Sequence, residues 1–300
     1  MTQAWLDQRE RGSIFAIRLL VGIARMLGRR VARVVLIPVC LYFLMFSLKP
    51  RAASRKYLCR VLGRPPTFRE QFRHYFSFAA VALDRVFLLT DQTELFRSSV
   101  HGEEYLTDLV ARGQGCLLLG AHLGSFEILR ALGASNHVNV GLLMYEENAR
   151  MLNSVTKAIN PALADSIISL GQFDSMLKVQ ERLQHRDWIG MLGDRALDTE
   201  SQLKAPFLGE EASFSTAPFR LALMLKRPVI LMLGLYRGGN RYDLYFEKLF
   251  DPEGVDRASR ERAIADAVLA YAARLEHYCR EAPFNWFNFY DFWNGSARAG

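Results

Sequence analysis

Short apolar runs alternate with helical segments along most of the chain. The runs have strand length and end at glycines, charges or turn residues, which is typical of buried strands. Between them, apolar residues recur at helical spacing. Strands that alternate with helices predict an α/β fold built on a mainly parallel sheet flanked by helices. The predicted strands are residues 116–119, 138–145, 166–170 and 187–192, and the predicted helices are residues 67–90, 102–112, 146–159, 172–185 and 256–281.

Two further apolar runs follow each other without a helix between them. Residues 228–236 and 242–249 are separated by Arg237-Gly-Gly-Asn-Arg241, a glycine-rich signal typical of a hairpin turn. An antiparallel pair therefore joins the sheet. The predicted fold class is α/β with a mixed, mainly parallel sheet.

The N-terminal region is both basic and apolar. Residues 11–33 predict an amphipathic helix, in which a basic stripe runs beside an apolar face. Such a helix suits the surface of an anionic membrane, and the alternative is that it packs on the protein's own core. The arginines of the stripe are Arg11, Arg18, Arg25, Arg29 and Arg33.

An uncharged apolar run, residues 34–48, follows this helix and contains Pro38. A membrane-spanning helix needs about 20 apolar residues, so this run is short, and its extension to residues 31–48 is marginal. Basic residues flank both ends, so the positive-inside rule gives no orientation. We predict membrane association and leave spanning open. Arg64-Pro65-Pro66 then marks a break, which divides the chain into a membrane-associating region, residues 1–63, and a main domain, residues 64–300.

Composition and charge narrow the class of protein. The chain has 300 residues, of which 50% are hydrophobic, enough for one substantial core. Residues 1–73 hold 15 basic and 3 acidic residues, whereas the whole chain has a net charge of only +7. The remainder is net acidic, which argues against a nucleic-acid-binding body. The four cysteines are scattered, so neither a zinc site nor a disulfide framework is expected.

A histidine follows the first predicted strand. Gly120 and Gly124 bracket His122, so the chain can turn sharply there and a ligand can come close to the backbone. Ser125 is a suitable N-cap for the next helix, which places Glu127 in its first turn. That carboxylate could hold one ring nitrogen of His122 and leave the other as a general base. The alternative is a plain helix cap beside a solvated acid, because the spacing alone is common.

Two later segments also bear on a site. Asp194 and Arg195 follow the strand predicted at residues 187–192, and ligands bind at the carboxyl ends of strands in open α/β sheets. The alternative is an ordinary ion pair in a loop. Near its end the chain becomes strongly aromatic between Pro283 and Trp293.

The segment Gly120-Ala-His-Leu-Gly-Ser-Phe-Glu127 resembles the His-x4-Asp/Glu signature of the bacterial lysophospholipid/lipid A acyltransferase superfamily. The similarity extends over most of the chain. It includes a Phe-x-Gly block that begins at Phe207, an acid at the position of Asp194, and the closing aromatic block.

The resemblance implies an enzyme that moves a fatty-acyl chain from a thioester to a hydroxyl or amine of a lipid-like acceptor. Acyl carrier protein or CoA would carry the donor chain. His122 and Glu127 would form the catalytic pair, on the cytoplasmic face of the cell inner membrane. No metal ion, organic cofactor or nucleic acid is expected. The substrate-binding residues would be Gly124, Ser125, Asp194 and Arg195.

Two other functions fit the same residues. A thioesterase or lipid hydrolase would use the same base on water, and a non-catalytic lipid- or carrier-binding membrane protein would keep only the fold. The chain also departs from the lipid A enzymes, because Ser125 and Phe126 stand where those enzymes usually have Asn and Trp. No basic residue lies between Ala158 and Leu177, and Asp291 replaces a basic residue of the closing block. The last two departures argue against a phosphorylated glucosamine acceptor.

Overall fold

The structure, a computed structural model, describes residues 14–128, 139–145, 166–170, 174–196 and 201–293. The helices are α1 (Ile14–Phe46), α2 (Leu48–Leu62), α3 (Phe68–Leu88), α4 (Glu103–Ala111), α5 (Ser175–Gln184), α6 (Ala217–Leu225) and α7 (Arg260–Glu281). The strands are β1 (Arg97–His101), β2 (Leu117–Gly120), β3 (Val140–Tyr145), β4 (Ile167–Leu170), β5 (Trp188–Leu192), β6 (Gln202–Phe207), β7 (Glu210–Ser215), β8 (Val229–Tyr236) and β9 (Arg241–Phe250).

Within the described residues, seven strands form one sheet in the order β1-β9-β8-β2-β5-β3-β4. Neighbouring strands are parallel except for β8 and β9, which form an antiparallel hairpin. Leu117 and Leu119 of β2 belong to one apolar cluster and Leu118 belongs to another. The two clusters lie on opposite faces of the sheet, because successive side chains of a strand point to opposite faces. The predicted α/β class and mixed, mainly parallel sheet are confirmed.

The predicted helices and strands within the described residues are confirmed, with boundaries that differ by a few residues. The helix predicted at residues 146–159 lies outside the described residues. Strand β1 was not predicted, because Arg97–His101 is an edge strand with no buried residue and hence no apolar alternation.

The hairpin of β6 and β7 was not predicted either. It forms a separate two-stranded sheet, which turns at Leu208 and Gly209 with φ values of 50° and 84°. Both values lie in the left-handed region that a tight hairpin turn requires. A Pro in β6 and two consecutive glutamates in β7 concealed this pair of strands in the sequence.

The N-terminal helix is longer than predicted. It runs through Pro38 to Phe46, and it is kinked at Gly28, whose φ is 77°. The segment Gly28–Phe46 then meets α2 at an angle of 94°. Among the described residues no single helix is long and apolar enough to cross a membrane. The two helices of this bent pair, counted together, are long and apolar enough.

After the kink, α1 has two different apolar faces. One face is buried in the protein, with Ala32, Leu36, Cys40 and Leu44 at intervals of four residues. The other face is exposed, and we call it the outer face of α1. It consists of Val31, Val34, Ile37, Tyr42, Met45 and Phe46.

Two arginines of the basic stripe point into the protein. Arg29 Nε lies 2.7 Å from Oδ1 of Asp84 on α3, and the Tyr242 hydroxyl donates to Oδ2 of the same carboxylate at 2.7 Å. Arg33 donates to the Tyr236 hydroxyl at 2.6 Å. The prediction that Arg29 and Arg33 lie on a membrane-facing stripe is therefore wrong, because their side chains pair with buried polar groups. The remaining members of the stripe cannot be compared, since Arg11 and the side chains of Arg18 and Arg25 lie outside the described residues.

Removal of Arg29 provides a test of this buried pair. The Asp84 side chain is fully buried, so Arg29→Met leaves a carboxylate without its cation and should destabilise the fold by about 3 kcal/mol. Burial raises the pKa of Asp84, so the carboxyl can take up a proton once the arginine is gone. The neutral acid costs less to bury than the anion, which limits the loss of stability. The free energy of unfolding would be measured by denaturant titration in detergent.

Arg112→Met is the matched control, because it removes an exposed ion pair with Asp108 and should cost at most about 1 kcal/mol. Equal losses for the two variants would show that the buried pair makes no special contribution to stability.

Candidate active site

His122 lies just beyond the carboxyl end of β2, on a turn whose backbone is fixed from two sides. Its amide donates to Oδ2 of Asp194 at 3.0 Å, and its carbonyl accepts from the Phe287 amide at 2.7 Å. The predicted placement of this histidine after a buried strand is confirmed.

The turn requires glycine at position 124. Gly124 has a φ of +75°, and a Cβ atom there would lie only 1.9 Å from the carbonyl oxygen of Gly234 in β8. The Gly124 amide donates to the Asn285 carbonyl at 2.9 Å, and the Ser125 amide donates to the Gly234 carbonyl at 2.8 Å. These contacts are internal, so the expected substrate contacts of Gly124 and Ser125 remain predictions.

Asp194 follows β5, the parallel neighbour of β2. Gly120 pairs with Leu192 in the sheet, so the two chains leave it side by side and bring His122 and Asp194 together. His122 Nδ1 lies 2.8 Å from Asp194 Oδ1. An ionised carboxylate can only accept a hydrogen bond, so Nδ1 carries the proton and Nε2 is the acceptor. No described residue hydrogen-bonds to Nε2.

The Asp194 carboxylate is buried and fully hydrogen-bonded. Besides the two bonds from His122, Oδ2 accepts from Trp286 Nε1 at 2.9 Å and from Asn288 Nδ2 at 2.8 Å. Burial alone would raise the pKa of Asp194, but the His122 ring, the nearby charge of Arg195 and these bonds hold it well below its usual range. Asp194 is therefore an anion at neutral pH.

The pKa of His122 is lowered. Burial is the largest cause, and the positive charges of Arg195 and Arg85 add to it, while Asp194 acts in the opposite direction. Since the net shift is downward from about 6.5, the imidazole is neutral at pH 7. The ring is not sealed off, because a quarter of its side-chain surface (25%) remains exposed. It can therefore accept a proton from a group that reaches Nε2.

Glu127 has a different partner from the one the sequence suggested. Arg85 Nε of α3 lies 2.5 Å from its Oε1, and the Ser125 hydroxyl donates to its Oε2 at 3.5 Å. Within the described residues it makes no hydrogen bond to His122, whose Nδ1 is taken by Asp194. The expected contact between His122 and Glu127 is therefore wrong, and Asp194 is the partner of the ring. The reason is that β2 and β5 are neighbours in the sheet, so the residues that follow them lie side by side.

Ser125 begins the helix that contains Glu127. Its hydroxyl accepts from the Ile128 amide at 3.4 Å, three residues along the chain, which is the N-cap pattern. This confirms the predicted cap. The Ser125 side chain is buried, with 1% of its surface exposed.

Arg195 lies beside the same group of residues. Its Nε donates to Asn288 Oδ1 at 2.9 Å, and its guanidinium lies 5.5 Å from the Tyr290 ring centre. Both of these contacts are to the C-terminal aromatic block, and the expected contact of Arg195 with a substrate remains a prediction.

The C-terminal block supplies residues that sequence reasoning missed. Trp286 and Asn288 both bind Asp194, and the Trp286 carbonyl is held by His74 Nε2 at 2.8 Å. His74 is fully buried, its Nδ1 lies 2.8 Å from the Ser54 hydroxyl, and burial lowers its pKa to about 4. The signal in the sequence was the pair of polar residues, Asn285 and Asn288, within an aromatic segment, because buried amides need partners.

Most amides of the turn are already occupied. Those of His122, Gly124 and Ser125 donate to internal acceptors, so they are not available to a developing oxyanion. The side chain of Arg195, whose positive charge acts on His122, is then a candidate donor to an oxyanion.

The described residues contain no group of three or more His, Cys, Asp or Glu side chains that could hold a metal ion. The described side chains bring together a neutral imidazole, a buried anion behind it and two guanidinium groups whose charges act on the ring. This arrangement suits proton removal from a hydroxyl or amine.

The chain matches the profile of a known protein family. The profile of the family "Bacterial lipid A biosynthesis acyltransferase" matches residues 7–294. A search of the curated proteins found no match. Among solved structures, the chain is similar to the 1-acyl-sn-glycerophosphate (LPA) acyltransferase PlsC from Thermotoga maritima. The identity is 16% and the TM-score 0.39, and the alignment covers 82% of this chain and 97% of PlsC.

The family match spans nearly the whole chain, including the turn at His122, the strand-end acid Asp194 and the aromatic block. The protein is an acyltransferase, and the chain belongs to the bacterial lipid A biosynthesis acyltransferase family.

Proposed function

We propose that the protein transfers a fatty-acyl chain from the thioester of acyl carrier protein or CoA to a hydroxyl or amine of a lipid-like acceptor. His122 is the general base in this reaction. One observation carries the proposal: the 2.8 Å contact between His122 Nδ1 and the buried Asp194 carboxylate. This contact fixes the tautomer and leaves Nε2, the ring nitrogen that does not face Asp194, as the base.

The reaction follows from that tautomer. Nε2 removes the proton from the acceptor O–H or N–H as its oxygen or nitrogen attacks the thioester carbonyl carbon. The tetrahedral intermediate carries the negative charge on the former carbonyl oxygen. When it collapses, the carbon–sulfur bond breaks and the leaving thiolate takes the proton back from His122. Asp194 stabilises the imidazolium in the interval, as the buried acid does in other catalytic triads.

In this proposal Arg195 stabilises the oxyanion. Its positive charge acts on the His122 ring, where the acceptor would be deprotonated. A fixed cation at a developing negative charge lowers the barrier without reorganisation. The bond from Arg195 to Asn288 holds the guanidinium in place.

We also propose that residues 1–63 hold the enzyme on the cytoplasmic face of the inner membrane and that residues 64–300 form the catalytic domain. The outer face of α1 is apolar and exposed, and an apolar face of this kind can lie in the boundary between lipid headgroups and acyl chains. Arg30 and Lys49 lie exposed near its two ends and suit contact with anionic headgroups. The bent helix pair therefore fits an interfacial position.

Substitutions of His122, Asp194 and Glu127 test the mechanism. His122→Ala should lower the transfer rate by about 10² to 10⁴, the usual contribution of a positioned base. Asp194→Asn keeps the shape but removes the charge and should cause a loss of similar size. The loss in Glu127→Gln should be smaller, since its partner is Arg85. Transfer of a radiolabelled acyl chain from acyl carrier protein to total lipid would be measured on folded protein.

Asp243→Asn is the matched control, because its ion pair with Arg237 involves none of the site's residues. Near-normal transfer by Asp194→Asn, together with a loss in Glu127→Gln as large as that in His122→Ala, would overturn the assignment of Asp194. Thioester hydrolysis without transfer would identify a thioesterase instead.

The pH profile provides a second test. Because burial and the two arginines lower the pKa of His122, the acidic limb of the rate profile should have its midpoint below about 6.5. In Asp194→Asn the midpoint of the residual activity should fall further, because the anion that favours the imidazolium is gone. Initial rates would be measured between acid and neutral pH. A midpoint at or above the ordinary histidine value would contradict the electrostatics of the site.

Membrane attachment can be tested without disturbing the core, because only the outer face of α1 is changed. Replacement of Val34, Tyr42, Met45 and Phe46 by Gln should shift the protein from the membrane pellet to the soluble fraction, since each apolar side chain withdrawn from lipid loses about 1.5–3 kcal/mol. A control with Met224→Gln and Leu269→Gln changes exposed apolar residues elsewhere. If the α1 variant sediments with membranes as fully as wild type does, the outer face is not the membrane contact.

A further inference from the structure

A second buried imidazole connects α2 and α3 with the C-terminal aromatic block. His74 of α3 has none of its surface exposed (0%). Its Nδ1 lies 2.8 Å from the Ser54 hydroxyl of α2, and its Nε2 lies 2.8 Å from the Trp286 carbonyl oxygen. An apolar ring would cost less to bury at this position, so the reason for a histidine lies in its two hydrogen bonds.

The direction of both bonds follows from the partners of the ring. A carbonyl oxygen can only accept, so Nε2 of His74 carries the proton and donates to Trp286. Burial lowers the pKa of His74 to about 4, so the ring is neutral at pH 7 and has a single N–H. Nδ1 is therefore an acceptor, and the Ser54 hydroxyl donates to it. Neighbouring rings pack against this imidazole, with Phe289 stacked on it at 4.7 Å between ring centres.

The residue that receives this bond is itself a donor to the catalytic acid. Trp286 is fully buried, and its Nε1 donates to Asp194 Oδ2 at 2.9 Å. The amide of the next residue, Phe287, donates to the His122 carbonyl at 2.7 Å. Trp286 therefore lies where the C-terminal block meets the catalytic turn, and the bond from His74 ties its backbone to α3.

We infer that His74 is a positioning residue for the acyl-transfer reaction: its bond to the Trp286 carbonyl holds the indole N–H on Asp194 and so keeps the carboxylate on His122. If the Trp286 backbone shifted, the indole would move with it. Hydrogen bonds weaken steeply as their angle departs from linearity, and those that end on an ion are the strong ones. Ser54 contributes indirectly, because it favours the tautomer that can donate.

The inference rests on the proposed function for its effect on rate, but its structural part can be measured without turnover. Full-length protein in detergent would be prepared with isotope-labelled tryptophan, and exchange of the indole N–H groups with solvent deuterium would be followed by NMR. Trp286→Phe identifies the Trp286 resonance by its loss. Trp188 and Trp293 are also buried and serve as internal controls.

Three substitutions of His74 separate the bond from the packing of the ring. His74→Phe removes both hydrogen bonds and keeps a flat ring among the aromatic neighbours. His74→Gln can place an amide N–H near the former Nε2 and so keeps a donor to Trp286, whereas His74→Asn reaches only to the position of Nδ1.

The indole of Trp286 should report the difference. In His74→Phe and His74→Asn it should exchange about ten- to a hundredfold faster, as expected when a hydrogen bond to a charged group is lost. In His74→Gln its exchange should stay close to that of wild type. Exchange at Trp188 and Trp293 should be unchanged in all three variants.

Acyl transfer should follow the same order. In His74→Phe, kcat should fall by about ten- to a hundredfold with little change in KM, because the bond acts on Asp194 and not on a substrate. His74→Gln should recover most of this loss. Trp286→Phe should cause a loss of similar size, and the addition of His74→Phe to it should lower kcat little further, since both changes act through the same indole.

Thr90→Val is the matched control, because it also removes hydrogen bonds from a side chain to backbone carbonyls of α3. The Thr90 hydroxyl donates to the carbonyls of Val86 and Phe87 at 3.1 and 3.0 Å, near the end of the helix that is remote from His74. Neither the exchange at Trp286 nor kcat should change in this variant.

An unchanged exchange rate of the Trp286 indole in His74→Phe would overturn the inference. Equal defects in His74→Gln and His74→Phe would also overturn it, because the packing of the ring and not the bond would then matter. Faster exchange of Trp188, Trp286 and Trp293 together would reduce the role of His74 to general stability. If wild type transfers no acyl chain, the proposed function fails, whereas the exchange rates still decide whether His74 positions Trp286.

Discussion

The buried carboxylate of Asp194 is the constraint around which the site is built. An ion taken out of water costs several kcal/mol unless its hydrogen-bonding capacity is met in full. Here the donors come from the turn after β2 and from the C-terminal block, while the acid itself follows β5. Three segments that are distant in sequence must therefore assemble together, and the geometry of His122 is fixed in the same step.

Helix α3 links this centre to the membrane-associating region. Its consecutive residues Asp84 and Arg85 point in different directions, about 100° apart around the helix. Asp84 receives Arg29 of α1, and Arg85 meets Glu127 beside the histidine. About three turns of the same helix toward its start, the buried His74 supports the Trp286 carbonyl. Polar contacts of α3 thus connect α1 with the residues around His122 and Asp194.

The sequence was sufficient for much of the fold and for the parts of the site that follow strands. Apolar runs predict buried strands such as β2 and β5. The polar residues just after these strands, His122 and Asp194, were predicted as site residues for that reason. What the sequence does not contain is strand order. The fact that β2 neighbours β5 in register decides which acid meets the histidine, and local spacing pointed instead to Glu127. Strand β1 and Arg85 were missed because an exposed edge and a lone helical arginine have no apolar pattern to mark them.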